Sequence, residues 1–202
     1  MNHREELSLA SAPNSACFDD AVALPATLIA ELRTDHAGET GAVMIYRGVL
    51  AATRDAGVRR FATRHLATEE GHLADIEPLL VPRQRSRLLP LWRIAGWLTG
   101  ALPALAGPRA TYATIEAVET FVDGHYGDQI ESIDQLDPGR IRPALQALRA
   151  LLQACRSDEV MHRDEAAALF VVGGRPRSLA LRAWVRSVGV GSRIAVSICR
   201  RV

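Results

Sequence analysis

Two Glu-x-x-His segments, Glu69-Glu-Gly-His72 and Glu159-Val-Met-His162, are the residues with the clearest chemical potential in this sequence. In a helix, residues three positions apart lie next to each other on one face. A carboxylate and an imidazole of the same helix could therefore bind one metal ion. A single segment of this kind arises often by chance, but two copies on separate helical stretches are much stronger evidence for a metal site.

Two single glutamates complete a repeated order along the chain, because Glu39 precedes the first segment and Glu119 precedes the second. Four helices that each give one glutamate, two of which add a histidine, carry the ligand set of di-iron and di-manganese carboxylate bundles. Such oxygen and nitrogen ligands suit iron or manganese better than metals that prefer thiolates. The alternative for any one pair is a surface glutamate beside a core histidine. The six predicted ligands are Glu39, Glu69, His72, Glu119, Glu159 and His162.

Other residues near these ligands are candidates for supporting roles. A ligating imidazole usually donates its second N–H to a carboxylate, and the pattern leaves Asp35 and Asp123 open as acceptors. Tyr126 lies about two helical turns after Glu119 and on the same face. It and His125 are candidates for a proton or electron relay, with an ordinary core tyrosine as the alternative. Glycines in these stretches indicate either room for oxygen and a flat substrate or close helix packing; they are Gly38, Gly41, Gly71, Gly124 and Gly127.

The elements that must position these residues are predicted to be helices almost throughout. The spacing of apolar residues and the helix breakers predict helices at about 25–55, 58–80, 110–136, 142–170 and 178–200. Pro82, the Asp137-Pro-Gly139 turn and Gly173-Gly174 are the predicted stops. Residues 1–22 are predicted to be a mobile polar tail, and residues 23–202 a single domain.

An apolar stretch, residues 88–106, lies between the two helix pairs. Crossing a bilayer takes roughly 20 apolar residues, and this stretch has Arg93 near one end and prolines at both. It is therefore predicted to lie in the membrane interface. The predicted membrane contacts are Leu91, Trp92, Trp97 and Leu98. Seven arginines and no acidic residue occur from residue 175 to residue 202, a pattern typical of a face that meets anionic lipid.

Composition excludes several classes of protein. The chain has 202 residues, a formal net charge of +1 and 5% aromatic residues, so it lacks the basic surface of a nucleic-acid-binding protein. Three cysteines, Cys17, Cys155 and Cys199, are odd in number and widely spaced, which argues against a disulfide framework and a zinc site. The predicted location is the cytoplasmic face of the cell membrane, as a peripheral protein.

Over about residues 25–202 the sequence resembles the demethoxyubiquinone hydroxylases of ubiquinone biosynthesis. The resemblance lies in Leu32-Arg-Thr-Asp-His-Ala-Gly-Glu39, Glu69-Glu-Gly-His-Leu73, Ala117-Val-Glu119, His125-Tyr126 and Asp158-Glu-Val-Met-His162. That family is ferritin-like and binds two irons, and its ligand positions fall on the six residues chosen by spacing. Its His-Tyr pair falls on His125 and Tyr126, which implies a relay role there.

The resemblance implies an all-α, ferritin-like four-helix bundle, with the apolar interface helix between the helix pairs and a basic C-terminal helix. It implies a monooxygenase that uses two iron ions (Fe²⁺/Fe³⁺) and O₂ to hydroxylate the ring of a polyprenyl methoxy-benzoquinol, demethoxyubiquinol. Expected partners are this lipid-soluble quinol, the membrane surface, an unidentified electron donor, and further copies of the chain or a biosynthetic complex. The alternatives are another ferritin-like di-iron oxidase or ferroxidase, and a non-catalytic membrane-associated helical scaffold.

Overall fold

The computed structural model describes residues 24–172 and 176–202, and within these ranges the chain folds into helices joined by short loops. The α-helices are α1 (Ala26–Ala52), α2 (Ala56–Ile76), α3 (Leu89–Ala106), α4 (Pro108–Leu136), α5 (Pro143–Val171) and α6 (Leu179–Cys199). Two short 3₁₀ turns, Glu77–Leu79 and Pro82–Gln84, follow α2. The predicted all-α class is therefore confirmed for the described ranges. The predicted tail at 1–22, Cys17 and the Gly173-Gly174 stop lie outside them.

The chemistry of single residues sets the helix ends. The Asp55 side chain accepts a hydrogen bond from the backbone N–H of Val58 at 2.8 Å and so caps the start of α2. The predicted end of α2 near Leu80 is wrong, because the helix stops at Ile76 and continues as a 3₁₀ turn that contains Pro78. Proline lacks the N–H that would continue the helical hydrogen bonds, so Pro78 acts earlier than Pro82.

Two helix pairs, α1 with α2 and α4 with α5, form the body of the bundle. Each pair is joined by a short loop, which returns the second helix alongside the first. Two buried apolar clusters fill the interior, one around Tyr46 and Phe61 and the other around Leu32, Ile76 and Tyr126. Buried glutamates and histidines from all four helices lie where the two clusters meet.

Helix α3 packs along α1 at unusually short range because glycines face the neighbouring backbone. A Cβ built on Gly100 would lie 1.9 Å from the carbonyl oxygen of Ile45, and one built on Gly96 would lie 2.4 Å from that of Gly41. Only glycine permits this approach. A single residue, Gly107, joins α3 to α4, and its φ of +109° lies in the left-handed region that favours glycine.

The outer face of α3 leaves large apolar side chains exposed. These are Leu91, Ile94, Trp97, Leu98, Leu102 and Leu105. Helix α6 packs mainly on α4, with fewer contacts to α1, and it exposes Val190, Ile194 and Ile198. In the described part of the chain, no helix combines the length and the apolar character that crossing a membrane requires.

Candidate metal centre

The structure brings all six predicted ligands together inside the bundle. Side-chain donor atoms within 4.8 Å of one another form two groups of four, Glu39, Glu69, His72 and Glu159, and Glu69, Glu119, Glu159 and His162. Glu69 and Glu159 belong to both groups. The geometry therefore offers two ion positions that share two carboxylates. Each position has one further glutamate and one histidine that belong to it alone.

Many donor atoms of this cluster are buried without a hydrogen-bond partner in the described part of the chain. They are Glu39 Oε2, both carboxylate oxygens of Glu69, Glu159 Oε2, and Nδ1 of His72 and His162. His162 Nδ1 lies 3.1 Å from Glu69 Oε1, and His72 Nδ1 lies 3.3 Å from Glu159 Oε1, without hydrogen-bond geometry. Burying polar groups unpaired is costly. The residues present thus fit two divalent cations, which would use these free donor atoms.

Burial and mutual charge shift the pKa values of the cluster strongly. Burial raises the pKa of Glu39 to about 8 and that of Glu119 well above its ordinary range. Burial alone would lower the pKa of His162, but the adjacent carboxylates of Glu159 and Glu69 raise it to about 9. Burial alone would likewise raise the pKa of Glu159, but the two imidazoles lower it to about 2. The metal-free cluster therefore holds protons that cations would displace.

Two buried tyrosines, one on each side of the cluster, contact its single glutamates. Tyr126 donates a hydrogen bond to Glu39 Oε1, which agrees with the prediction that Tyr126 faces the ligands. Tyr46 donates to Glu119 Oε1 at 3.0 Å, and sequence reasoning missed it. The signal was present, because Tyr46 follows Glu39 by the same seven residues that separate Tyr126 from Glu119.

The imidazoles of the cluster have partners that the sequence did not reveal. His72 Nε2 lies 3.1 Å from Asp158 Oδ2. The ring of His162 packs edge-on against the ring of His65, with 3.9 Å between centroids, and His65 Nε2 in turn lies 2.9 Å from Glu165 Oε2. Burial, with the nearby charge of His162, lowers the pKa of His65 to about 4, so this residue packs as a neutral ring.

The two predicted acceptors of a ligand imidazole lie elsewhere. Asp35 Oδ1 accepts a hydrogen bond from the Gln129 amide at 2.6 Å and lies 3.1 Å from His125 Nε2. Asp123 accepts hydrogen bonds from Arg156 and Arg163. The hydrogen bonds and ion pairs of the described residues place neither carboxylate against His72 or His162. That prediction is therefore corrected, since Asp158 takes this place beside His72.

A cavity of about 430 Å³ opens directly onto the carboxylates, because Glu39, Glu119 and Glu159 form part of its wall. Its other walls come from α1, α3, α4 and α6, with mostly small or apolar side chains. Gly38 and Gly41 belong to this wall. Apart from its chain neighbours and the backbone of its own helix, a Cβ on either would meet no heavy atom of the described ranges within 4 Å. Between the two alternatives for these glycines, the structure therefore favours room for a ligand.

Trp92, a predicted membrane contact, also lines the cavity and is only partly exposed. Leu91, Trp97 and Leu98, by contrast, are exposed on the outer face of α3. The helical period explains the difference, because position 92 faces inward when 91 and 98 face outward. Trp92 therefore lies in the cavity wall, and its contact with a membrane stays a prediction.

His125 lies in the wall between this cavity and a second, polar groove. The groove runs between α4 and α6 and is lined by arginines of the C-terminal segment, which are Arg177, Arg186, Arg193 and Arg200. His125 and Phe121 line both spaces, and their rings stack at 8° with 6.0 Å between centroids. Thr34, Asp35 and Gln129 surround His125 Nε2 within 3.1 Å.

Comparison with known proteins finds one matching family. The sequence model described as ubiquinone biosynthesis protein COQ7 matches residues 26–199. A Rhodospirillum rubrum relative, named 3-demethoxyubiquinol 3-hydroxylase, is 37% identical over 184 residues, which cover 88% of this chain and 80% of the relative.

Mitochondrial relatives show the same similarity. A Saccharomyces cerevisiae protein named 5-demethoxyubiquinone hydroxylase is 33% identical over 167 residues, covering 77% of this chain and 70% of the relative. A human protein named NADPH-dependent 3-demethoxyubiquinone 3-hydroxylase is 35% identical over 135 residues. That alignment covers 66% of this chain and 60% of the human protein, so the chain spans less than two thirds of the human relative's length.

Proposed function

The chain belongs to the COQ7 family of ubiquinone biosynthesis proteins, and we propose that it is a di-iron monooxygenase that hydroxylates the ring of demethoxyubiquinol, a polyprenyl methoxy-benzoquinol. The observation that carries this proposal is the pair of overlapping ligand groups at the wall of a largely apolar cavity. When bound, the iron ions supply reduction of O₂ and insertion of one oxygen atom into a ring C–H bond. The other oxygen atom leaves as water, which requires electrons and protons from outside the site.

The ligand set supports iron at both positions. Glu39 with His72 would hold one ion and Glu119 with His162 the other, while Glu69 and Glu159 would contribute to both positions. Four carboxylates nearly neutralise two divalent cations, which offsets the cost of burying so much negative charge. Hard oxygen ligands and imidazoles are the ligands that iron and manganese accept.

The cavity supports a quinol ring as the substrate. Its volume, about 430 Å³, lies within the range of small-molecule sites. Small residues such as Gly38, Gly41 and Ala42 line α1 beside the carboxylates, and they leave space for a flat ring against them. Walls from α1, α3, α4 and α6 would shield a ring bound there from bulk water, and exclusion of water limits side reactions.

The outer surface around the cavity supports a membrane location. Helices α3 and α6 form the cavity wall with one face and expose apolar side chains with the other, for example Ile94, Leu98 and Ile194. Burying such side chains in lipid gains about 25 cal/mol per Å² of apolar surface, and arginines near anionic lipid add about 1 kcal/mol each. A substrate with an isoprenoid tail could then pass from the bilayer to the cavity without entering water.

His125 and Tyr126 are proposed to move protons between solvent and the site. His125 lies between the polar groove and the cavity, so its imidazole can exchange a proton with water on the groove side. Tyr126 continues the path, because its hydroxyl donates to Glu39.

The human relative is named NADPH-dependent, and we extend that class of reductant to this chain. Arg186 and Arg193 in the groove present guanidinium groups that suit its phosphates. An Arg193→Ala change should then raise the NADPH concentration required for half-maximal rate while leaving the KM for the quinol unchanged.

One experiment with a matched pair of variants tests the hydroxylase proposal. The purified protein, loaded with Fe²⁺, is supplied with a short-tailed demethoxyubiquinol, O₂ and NADPH, and the product is analysed by mass for one added oxygen. Glu69→Ala should lose iron and product, because Glu69 belongs to both ligand groups. Glu70→Ala should retain both, since Glu70 is exposed and pairs with Arg47.

The outcomes separate the alternatives. Iron binding and oxygen consumption without a hydroxylated quinol would contradict the substrate and favour another di-iron oxidase or a ferroxidase. Absence of bound metal from the wild-type protein would contradict the whole proposal and favour a helical scaffold. Complementation of a strain blocked at ring hydroxylation gives an independent check, since accumulation of demethoxyubiquinone despite expression would contradict the reaction.

A further inference from the structure

Each of the two tyrosines beside the cluster donates a hydrogen bond to a glutamate in the opposite half of the bundle. Tyr46 lies on α1, the helix of Glu39, yet its hydroxyl donates to Glu119 of α4. Tyr126 lies on α4, the helix of Glu119, yet its hydroxyl donates to Glu39 of α1. Each tyrosine follows the glutamate of its own helix by seven residues, so the same local geometry occurs twice. Both side chains are buried, with 1% of their surface exposed.

Each hydrogen bond occupies one oxygen of a carboxylate. Tyr126 uses Glu39 Oε1, whereas Glu39 Oε2 is buried without a hydrogen-bond partner among the described residues. Tyr46 uses Glu119 Oε1. A carboxylate held in this way presents a single oxygen to a cation in a fixed orientation. The shared glutamates, Glu69 and Glu159, receive no such bond from either tyrosine in the described ranges.

Tyr46 contacts Glu119 and His162, the two residues that belong to only one of the two ion positions. Besides its bond to Glu119, its ring meets the ring of His162 edge-on with 6.3 Å between centroids. Tyr126 contacts Glu39, which together with His72 belongs only to the other position. Each tyrosine thus contacts residues of a different ion position.

We propose that Tyr46 is a positioning residue for the ion position formed by Glu119 and His162, and that Tyr126 positions Glu39 at the other. This inference rests on the proposed di-metal centre and adds that each position depends on a tyrosine from the opposite half of the bundle. Groups that orient metal ligands through hydrogen bonds typically contribute 10–100-fold to metal affinity. Loss of one phenol oxygen should therefore weaken one position and leave the other nearly intact.

Tyrosine-to-phenylalanine variants test this, because they remove one oxygen and keep the ring that fills the core. Anaerobic Fe²⁺ titration with metal analysis gives the two affinities, and the visible absorption of bound Co²⁺ reports coordination independently of enzyme activity. Tyr46→Phe and Tyr126→Phe should each weaken one of two binding steps by about 10–100-fold. Tyr112→Phe is the matched control, since Tyr112 is a buried tyrosine of α4 that packs on Phe61. It should bind both ions as the wild type does.

Pairing these variants with single ligand changes identifies which position each tyrosine supports. In a His72→Gln background the remaining strong position uses Glu119 and His162, so Tyr46→Phe should weaken it and Tyr126→Phe should not. In a His162→Gln background, Tyr126→Phe should weaken the remaining position and Tyr46→Phe should not. Equal effects in both backgrounds, or wild-type affinities and Co²⁺ spectra for the single tyrosine variants, would overturn the inference while leaving the metal centre standing. A wild-type protein that binds fewer than two ions would overturn both.

Discussion

Replacing Gly100 by alanine should destabilise the protein, although alanine is the better helix former. The added Cβ would lie 1.9 Å from the carbonyl oxygen of Ile45, 2.8 Å from its carbonyl carbon and 3.0 Å from the backbone nitrogen of Val49. All three atoms belong to the backbone of α1, so no side-chain rotation can relieve the overlap. Helices α1 and α3 would have to move apart where their backbones lie closest together.

The size of the effect follows from two opposing contributions. Non-bonded heavy atoms prefer a separation of about 3.5 Å, so the overlap with Ile45 is roughly 1.5 Å. Forcing an extra methyl group into a packed interior typically costs about 1–3 kcal/mol, whereas exchange of glycine for alanine within a helix gains up to about 1 kcal/mol. We therefore expect a net loss of about 1–2 kcal/mol in the free energy of unfolding.

Urea unfolding followed by circular dichroism measures this loss, and Gly124→Ala is the matched control. Gly124 is exposed within α4, and a Cβ there would meet no heavy atom of the described ranges within 4 Å beyond its chain neighbours and the backbone of its own helix. Its replacement should therefore stabilise the protein by up to about 1 kcal/mol. Thermal midpoints should shift in opposite directions, by about 2–4 °C for each kcal/mol. If Gly100→Ala proved as stable as Gly124→Ala, the close α1–α3 contact would be refuted.

Three further predictions address the membrane face, the charge of the site and a helix cap. Ile94→Glu should reduce co-sedimentation with anionic liposomes, whereas Met161→Glu, an equally exposed apolar position on α5, should not; equal binding by both variants would place the contact elsewhere. Fe²⁺ affinity should rise with pH through about 8, because the Glu39 carboxyl, with its pKa raised to about 8 by burial, must lose its proton to bind metal. A titration series between pH 6 and 9 that shows constant affinity would contradict this. Asp55→Ala should lower the unfolding free energy by about 1 kcal/mol in urea, since it removes the cap of α2; an unchanged midpoint would argue against the cap.

The clustering of the six candidate ligands and most helix limits could be predicted from the sequence, because both depend on local periodicity. Residues at i and i+3 of a helix share a face wherever the helix lies, so each Glu-x-x-His segment forms half a site before any packing is known. The apolar stretch at 88–106 is a helix with nearly those limits, Leu89–Ala106, for the same reason. The end of α2 also depends on a local signal, because Pro78 lies in the 3₁₀ turn that follows the helix.

Contacts between helices depended on tertiary structure, since they follow from the offset and rotation of one helix against another. Asp35, Asp123 and Asp158 were equivalent acceptors by type, yet only the packing of α5 against α2 sets Asp158 beside His72. The same packing brings the ring of His65 against His162, a contact that joins residues nearly a hundred positions apart.

The contrast between local periodicity and helix packing is clearest at the candidate metal centre. The sequence alone determined that Glu39, Glu69, His72, Glu119, Glu159 and His162 could form one cluster, because repeated spacing puts one set of ligands on each helix pair. Only the tertiary structure decided that Glu69 and Glu159 belong to both groups of donor atoms, and that Tyr46 and Tyr126 each donate a hydrogen bond to the glutamate of the opposite helix. Spacing fixes the face of a helix on which a side chain lies, whereas the relative placement of helices fixes which atoms that face meets.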